Sequence, residues 1–222
     1  MSDYVITHKD YPIVEDDFYK ALCVGGFRKD GWLCAADGNN IEQYNDRLNE
    51  TTGLYWIWKN TKERTVGLSH YRRYFKDGEL LTKNMAEQIL KTNDLIMAPI
   101  RIGWSILENI RMTCGSALTN EAHAKFRGAI EEKQPGYVEA FDRVMDGNFM
   151  YYCGMFMTSR KVLNAYCKWL FSFLPEVVEN VDVSGRSGDD RRVCGYFSEA
   201  MWTVWLQNQA LDVYEMPLEV RG

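Results

Sequence analysis

The chain has 222 residues, with 26 basic and 31 acidic side chains and a formal net charge of −5. This acidic balance excludes a general nucleic-acid binder, because such proteins need a basic surface to hold phosphates. A hydrophobic fraction of 46% is typical of a globular protein, and the length predicts one domain over residues 1–222.

The N-terminal half of the chain alternates between strand and helix patterns. Its clearest helix, at 49–60, has Asn49 as N-cap, with Leu54, Ile57 and Trp58 at the spacing of one apolar face. In chain order, the predicted elements are strands at 3–8 and 32–36, the helix at 49–60, a strand at 65–71, a helix from Thr82 to about Lys91, and a strand at 94–100 that Pro99 ends.

The C-terminal half continues this alternation. A strand at 149–157 contains Gly154, which indicates a close approach of backbone or ligand. The predicted order is mostly helix from 101 to 148 with a break at 133–136, the strand at 149–157, a helix from Ser159 that Pro175 stops, a charged loop at 184–192, a helix that Ser198 caps, and a strand at 211–217.

The alternation of strands and helices predicts an α/β fold, with a mostly parallel mixed sheet flanked by helices. Ligands bind such sheets beyond the carboxyl ends of the strands. Polar residues follow three of the predicted strands at this edge, and they are Thr7, His8 and Lys9, then Asp37, then His70, Arg72 and Arg73. The sequence therefore predicts a ligand site there.

The segment SHYRRYF at 69–75 places two arginines at the end of a strand. The planar guanidinium group matches phosphate oxygens in a bidentate manner, so Arg72 and Arg73 form a candidate diphosphate clamp. The alternative is that both arginines pair with acidic residues of nearby loops while His70 bonds a backbone carbonyl.

The segments ETTGLYWIWKNTKERTVGLSHYRRYF at 50–75 and RRVCGYFSE at 191–199 resemble a bacterial family catalogued as a domain of unknown function. Its members carry the HYRRYF signature, occur in capsule, exopolysaccharide and O-antigen gene clusters, and are taken to be glycosyltransferases. Some relatives are reported as galactofuranosyltransferases. The resemblance extends over nearly the whole chain, and its most specific part is HYRRYF with the helix before it.

The resemblance implies a glycosyltransferase-A-like fold, in which a Rossmann-like sheet binds a nucleotide-diphosphate sugar. A UDP-sugar, with UDP-galactofuranose as one candidate, would then extend a capsular, exopolysaccharide or O-antigen glycan. Other A-type transferases hold a divalent metal with an Asp-x-Asp motif at the position where this chain has His70, Tyr71 and Arg72. We expect cationic side chains to replace that metal, so that no cofactor is needed, with Mn²⁺ and Mg²⁺ left as alternatives.

A second charged group precedes the last predicted helix, in GDDRRVCGYFSE at 188–199. Glu199 is expected in the first turn, where the helix N-terminus favours its ionised form and where it could deprotonate an acceptor hydroxyl. The alternative is an acidic residue that merely suits the helix dipole. Arg192 either contacts phosphates or pairs with Asp189 or Asp190.

The strand ends supply the remaining candidates for donor contacts. Asp37 is expected to contact uridine or ribose, and Thr7, His8 and Lys9 lie where phosphates or ribose usually bind in such sheets. Lys9 could equally be a solvated surface lysine.

Partners and location follow from what the sequence lacks. The six cysteines form no CxxC pair and the three histidines are scattered, so a zinc site is not expected. The absence of a signal segment and of a membrane-spanning apolar run predicts a cytoplasmic protein. A peripheral contact with the inner membrane face stays open, since the acceptor is expected to be a lipid-linked glycan or an oligosaccharide.

Two alternatives to a glycosyltransferase stay open. A non-catalytic nucleotide-sugar or carbohydrate-binding module, derived from a transferase, would bind a donor without turning it over. A nucleotidyltransferase would need clustered carboxylates for metal, and the adjacent Asp189 and Asp190 have no acidic partners at an obvious spacing.

Overall fold

A central, mostly parallel β-sheet organises the chain in this computed structural model, which describes residues 1–221. The strands are β1 (Ser2–Thr7), β2 (Tyr19–Cys23), β3 (Leu33–Cys34), β4 (Thr65–His70), β5 (Arg73–Asp77), β6 (Glu79–Leu80), β7 (Leu95–Arg101), β8 (Phe149–Ser159), β9 (Val213–Glu215) and β10 (Leu218–Val220). The main path is β3-β2-β1-β4-β8-β7-β9, in which β8 runs antiparallel to β4 and β7 while the other pairs are parallel.

Helices connect the strands and flank the sheet, as the sequence predicts. They are α1 (Asn45–Leu48), α2 (Glu50–Asn60), α3 (Lys83–Ile89), α4 (Ile106–Cys114), α5 (Ser116–Lys133), α6 (Val138–Asp146), α7 (Arg160–Leu170), α8 (Leu174–Asn180) and α9 (Val193–Leu206). The side chains of Thr82 and Ser159 cap α3 and α7 by accepting a hydrogen bond from the backbone N–H of the third residue of each helix.

The middle of the sheet is the core of the fold. Every residue of β1 is buried, because β2 and β4 hydrogen-bond its two sides and helices cover its faces. Helix α9 packs against β8 and is buried over most of its length. The predicted α/β fold with a mostly parallel sheet is confirmed.

Four strands that the sequence does not predict extend this sheet. Strand β2, with the sequence YKALC, is short and gives little periodicity, yet it pairs with β1 along its whole length. After His70 the chain turns back, and Arg73 pairs with His70 to begin β5, which in turn pairs with β6 and β10. The reversal places both arginines of the HYRRYF segment at a tight turn.

Three predicted boundaries are wrong, each for a local reason. Strand β7 continues past Pro99 to Arg101, because a register shift between Met97 and Pro99 removes the need for the missing N–H. Pro175 does not stop a long helix but lies in the first turn of α8, where its N–H is not needed. Helix α9 begins at Val193 and not at Ser198, whose hydroxyl instead donates to the carbonyl of Cys194 at 2.7 Å.

Replacing Gly67 with alanine is expected to destabilise the fold. A Cβ atom at this position of β4 would lie 3.0 Å from the Phe156 carbonyl oxygen, 3.0 Å from Asp3 Oδ1 and 2.4 Å from Met157 Cε. Backbone of the adjacent strand cannot move aside cheaply, so we expect the free energy of unfolding to fall by about 1–3 kcal/mol, measured by urea denaturation.

Gly128 provides the matched control for this substitution. It lies on an exposed face of α5, and a Cβ atom there meets nothing within 4 Å. Alanine at position 128 should therefore stabilise the protein by about 0.5–1 kcal/mol, because glycine is a poor helix former. Equal stability of the Gly67 variant and the wild type would contradict the packing argument.

Candidate functional site

A cleft opens at the edge of the sheet where the sequence predicts a ligand site. The residues at the carboxyl ends of β1, β2, β4 and β7 line it, together with the N-terminal half of β8, which runs the opposite way. Helices α2, α4 and α9 contribute the remaining walls. The cleft has a volume of about 520 Å³, within the range of small-molecule sites.

The cleft has two chemically different sides. One side is apolar and comes from the end of β7, from α4 and from β8, with Ile100, Ile102, Ile106, Ile110 and Met150 as its members. The other side is polar and includes His8, Asp46, Asn49, Arg72, Arg73 and Arg192. A ligand with an anionic part therefore has a defined direction in which to bind.

The two arginines of the HYRRYF segment carry charge that the protein does not neutralise. Arg72 is exposed and Arg73 is partly buried, and both line the cleft. Their guanidinium groups stand over aromatic rings, that of Arg72 at 5.1 Å from Tyr71 and that of Arg73 at 5.4 Å from Tyr152. Within residues 1–221, neither forms an ion pair with a carboxylate. Both are positioned to accept an anion.

His70 is a neutral group at the floor of the cleft. Its Nε2 lies 3.0 Å from the Cys153 carbonyl oxygen, and since a carbonyl only accepts, Nε2 carries the hydrogen. Burial, together with the charge of Arg73, lowers the pKa of His70 to about 4. His70 is therefore a hydrogen-bonding group and not a third cation, and its Nδ1 is left as an acceptor.

A kink in β8 brings backbone into the cleft. Cys153 and Gly154 have φ angles of 59° and 60°, a left-handed conformation that non-glycine residues rarely adopt. The kink aims the Cys153 carbonyl at His70 and a backbone hydrogen bond at Glu199. A Cβ atom on Gly154 would lie 3.9 Å from Glu50 Cγ, an ordinary contact distance, so the left-handed φ and not a close approach explains the glycine.

Glu199 lines the cleft, but not from the first turn of a helix. Because α9 begins at Val193, Glu199 lies in the second turn, too far from the helix end to gain from its dipole. Burial raises the pKa of Glu199 to about 7, against the opposing effects of Arg73, the backbone of Cys153 and Arg192. Burial therefore favours the protonated form of Glu199, whereas the sequence argument predicted that a helix N-terminus would favour the ionised form.

Glu50 is a site residue that the sequence analysis missed. It is the first residue of α2, and it reaches the same cleft as Glu199. Burial first, and then the charge of Glu199, raise the pKa of Glu50 to about 8. The available signal was its place at the start of the segment that carries the resemblance.

Of the three candidate residues at the end of β1, one lines the cleft and the other two lie outside its lining. His8 lines the cleft, with its ring edge-on to Tyr71 at 5.3 Å. Thr7 is buried and donates from Oγ1 to the carbonyl of Lys9 at 2.7 Å, so it shapes the turn. Lys9 is exposed, and its Nζ lies 5.4 Å from the ring of Tyr71.

Asp37 and Arg192 are placed differently from one another. Asp37 is outside the cleft lining, where its carboxylate forms an exposed pair with Arg28 at 3.0 Å. Arg192 lines the cleft and lies 3.9 Å from Asp189. The sheet therefore brings His8, His70, Arg72, Arg73, Arg192 and Glu199 together and leaves Asp37 apart.

A wider groove of about 760 Å³ lies at the opposite edge of the sheet. One of its charged groups is Glu63, which accepts a hydrogen bond from Tyr4 Oη at 2.7 Å and lies 3.5 Å from Lys20 Nζ. The protein itself satisfies this carboxylate. The chemistry that awaits a ligand is therefore in the smaller cleft.

Comparison with known proteins places this chain in a family. A family model described as "Domain of unknown function (DUF4422)" matches residues 3–210. The chain belongs to the DUF4422 family.

Among solved structures, the DUF4422 chain is similar to the apo structure of the WbbM bifunctional glycosyltransferase, with a TM-score of 0.81 and 21% sequence identity. The similarity covers 100% of this chain and 45% of the WbbM chain, so the DUF4422 protein spans less than half the length of WbbM. At this identity the match establishes a glycosyltransferase-like fold. A comparison with curated protein sequences finds no match.

The DUF4422 chain offers little to a metal ion by itself. Across residues 1–221, no group of three or more His, Cys, Asp or Glu side chains is arranged to hold one. Asp190 lies 3.3 Å from Arg186, and Asp189 faces Arg192, so these neighbouring acids are paired with arginines.

In the part of the DUF4422 chain that the structure describes, no helix is both long enough and apolar enough to cross a membrane.

Proposed function

We propose that this protein is a glycosyltransferase that takes a sugar from a nucleotide-diphosphate donor. The observation that carries the proposal is the pairing of uncompensated Arg72 and Arg73 with Glu199 across one cleft at the carboxyl edge of the sheet. The fold similarity to a protein titled a bifunctional glycosyltransferase supports it. UDP is the candidate nucleotide, with UDP-galactofuranose as one donor, and a lipid-linked or oligosaccharide glycan of a capsule, exopolysaccharide or O-antigen is the candidate acceptor.

The arginines account for the departure of the leaving group. When the bond between the anomeric carbon and the diphosphate oxygen breaks, its electron pair stays with the diphosphate and adds negative charge there. Guanidinium groups fixed beside that oxygen stabilise this charge without rearrangement, and one such contact is typically worth about 3–4 kcal/mol at the transition state. Arg73, which is partly buried and held over Tyr152, is the better fixed of the two.

Glu199 accounts for activation of the acceptor. As its carboxylate takes the proton of an acceptor hydroxyl, the acceptor oxygen forms the new bond to the anomeric carbon from the side opposite the diphosphate. A base works best when its pKa is close to the operating pH, and burial raises the pKa of Glu199 to about 7. We therefore propose transfer with inversion.

A nucleotide-sugar screen tests this function. UDP, GDP, CDP and dTDP sugars are added to the protein, and the bound donor is expected to raise Tm by mass action. Turnover of that donor, followed by release of the nucleoside diphosphate, distinguishes a transferase from a binding module. Binding without turnover on any acceptor glycan would instead favour the module.

Activity is expected to survive removal of divalent metal ions. The proposed clamp supplies its positive charge from Arg72 and Arg73, so EDTA should leave the rate of transfer unchanged within about twofold. The control is an A-type transferase with an Asp-x-Asp motif, which EDTA should inactivate in the same assay. Strict dependence on Mn²⁺ or Mg²⁺ would contradict the proposed role of the arginines.

A further inference from the structure

Asn49 has a backbone conformation that is unfavourable for its residue type. It joins α1 to α2, with a φ angle of 48° and a ψ angle of −125°. These angles are close to those of the first central residue of a type II′ turn, a conformation that glycine adopts most easily. The chain therefore carries a strained asparagine where glycine would fit without strain.

Neighbouring groups hold Asn49 in this conformation through its backbone. Its carbonyl oxygen accepts hydrogen bonds from Thr52 N–H at 3.2 Å, from Thr52 Oγ1 at 2.8 Å and from Asn45 Nδ2 at 3.0 Å. Strained backbone persists where surrounding contacts enforce it, and it concentrates at binding and catalytic sites. Glycine would accept the same three bonds, so they do not explain why the residue has a side chain.

The amide side chain of Asn49 has no hydrogen-bond partner among residues 1–221. Asn49 occupies the N-cap position of α2, yet its side chain accepts no hydrogen bond from the first turn of that helix. The residue is partly buried and lines the main cleft. An amide both donates and accepts hydrogen bonds, as a sugar hydroxyl does, so the two groups are complementary.

Helix α9 fixes the place of this amide within the cleft. A Cβ atom on Gly195 would lie 2.7 Å from Asn49 Nδ2 and 3.1 Å from the Arg47 carbonyl oxygen, so glycine at position 195 makes room for the amide and for the chain before it. Gly195 follows Arg192 by three residues and precedes Glu199 by four, so the three positions share one face, about 5–6 Å apart in turn. The Asn49 amide therefore lies between the positions of Arg192 and Glu199.

This arrangement matches the order of the chemical groups in a nucleotide sugar. The cationic side of the cleft, which includes Arg192, suits the diphosphate. In the proposed reaction Glu199 acts beyond the anomeric carbon, on the side away from the diphosphate. The sugar that is transferred then lies between these two residues, beside Asn49, while the acceptor enters from farther away.

We propose that the Asn49 amide hydrogen-bonds a hydroxyl group of the transferred sugar and so contributes to the choice of donor. This role rests on the proposed glycosyl transfer. It explains why the chain keeps a strained asparagine at this junction, because glycine would relieve the strain but could not contact the sugar.

Calorimetry of the variant Asn49→Gly with two ligands tests this role. The ligands are the nucleotide sugar that raises Tm most in the screen of UDP, GDP, CDP and dTDP sugars, and the nucleoside diphosphate of that same nucleotide. The variant keeps the backbone conformation and lacks the amide, so its Kd for the nucleotide sugar should rise by about 3–10-fold. Its Kd for the nucleoside diphosphate, which has no transferred sugar, should equal that of the wild type.

The variant Asn49→Ala separates the effect of the amide from that of the backbone. Alanine also lacks the amide but keeps a Cβ atom in the strained conformation, so it should lose as much affinity for the nucleotide sugar as Asn49→Gly. The Tm of Asn49→Gly should match or exceed that of the wild type, and the Tm of Asn49→Ala should lie about 2–4 °C or more below that of Asn49→Gly. The same loss of affinity at two different stabilities identifies the amide as its cause.

Asn84→Gly is the matched control, because Asn84 is an exposed asparagine on α3 outside the cleft lining. It should bind both ligands as the wild type does. Equal weakening of both ligands in Asn49→Gly would overturn the proposal, and so would a change confined to the KM for the acceptor. A Tm of Asn49→Gly well below that of the wild type would show that the side chain supports the fold, which also contradicts it.

The wild type separates the failure of this inference from the failure of the proposed function. If it binds and turns over no nucleotide sugar, the proposed function is overturned and the role of Asn49 with it. If it turns over a donor that Asn49→Gly and Asn49→Ala bind with unchanged affinity, the role of Asn49 alone is overturned.

Discussion

Glu199→Gln is expected to lower kcat by about 10²–10⁴ while leaving donor affinity within about twofold of the wild type. The glutamine side chain fills the same space between Arg73 and the Cys153 backbone, but it cannot take a proton from the acceptor. Donor binding depends on the arginines and should persist. Steady-state kinetics with saturating donor, combined with calorimetry of nucleoside diphosphate binding, measures the two effects separately.

The pH dependence of the activity that remains in this variant gives a second test. If Glu199 is the base, Glu199→Gln should also lose the rise in rate between pH 6 and pH 8, because the group whose pKa is raised to about 7 is gone. Glu139→Gln, at an exposed position in the first turn of α6, is the control and should behave as wild type. Wild-type kcat in Glu199→Gln would remove Glu199 from the mechanism.

Arg73→Ala is expected to lower kcat/KM for the donor by about 10²–10³. The variant removes a cation that no carboxylate within residues 1–221 neutralises and that the ring of Tyr152 holds at the cleft. Affinity for the nucleoside diphosphate should fall along with the rate, as measured by calorimetry. Arg73→Lys should recover only part of the loss, because lysine restores the charge without the planar fork.

Arg28→Ala is the matched control for this prediction. Arg28 is an exposed arginine in the loop before β3, outside the cleft lining, that pairs with Asp37, and exposed pairs of this kind contribute little. The control should keep wild-type kinetics. A crystal structure with bound nucleoside diphosphate, in which Arg73 points away from the phosphates and toward an acidic side chain, would contradict the clamp.

The residues at the strand ends show which parts of the site can be predicted from local sequence patterns. The alternation of apolar runs predicts the sheet, and the end of β4 could be placed within one residue because His70 and the arginines interrupt an apolar strand. The same logic placed Asp37 near the ligand, since it follows a strand. Strand β3 has only two residues and lies at the edge of the sheet, so the chain beyond it turns away from the cleft.

Helix α9 shows where a local pattern misleads. A serine followed by a glutamate resembles a helix start, but the preceding residues VCGYF are already helical because they are buried against β8 and neighbouring helices. Tertiary packing overrides the local preference of Ser198, whose hydroxyl then bonds the Cys194 carbonyl. As a result Glu199 faces the cleft from within a helix, and burial sets its protonation.

The sequence by itself determined the class of fold, the edge of the sheet that carries the site, and the arginine pair there, because hydrophobic period and strand ends depend on neighbours in the chain. Only the tertiary structure decided that Glu50 meets Glu199, that His70 is neutral against the Cys153 carbonyl, and that Asp37 is left outside. Such contacts join residues far apart in the chain. They depend on how helices pack on the sheet and on the kink in β8, which the order of residues does not display.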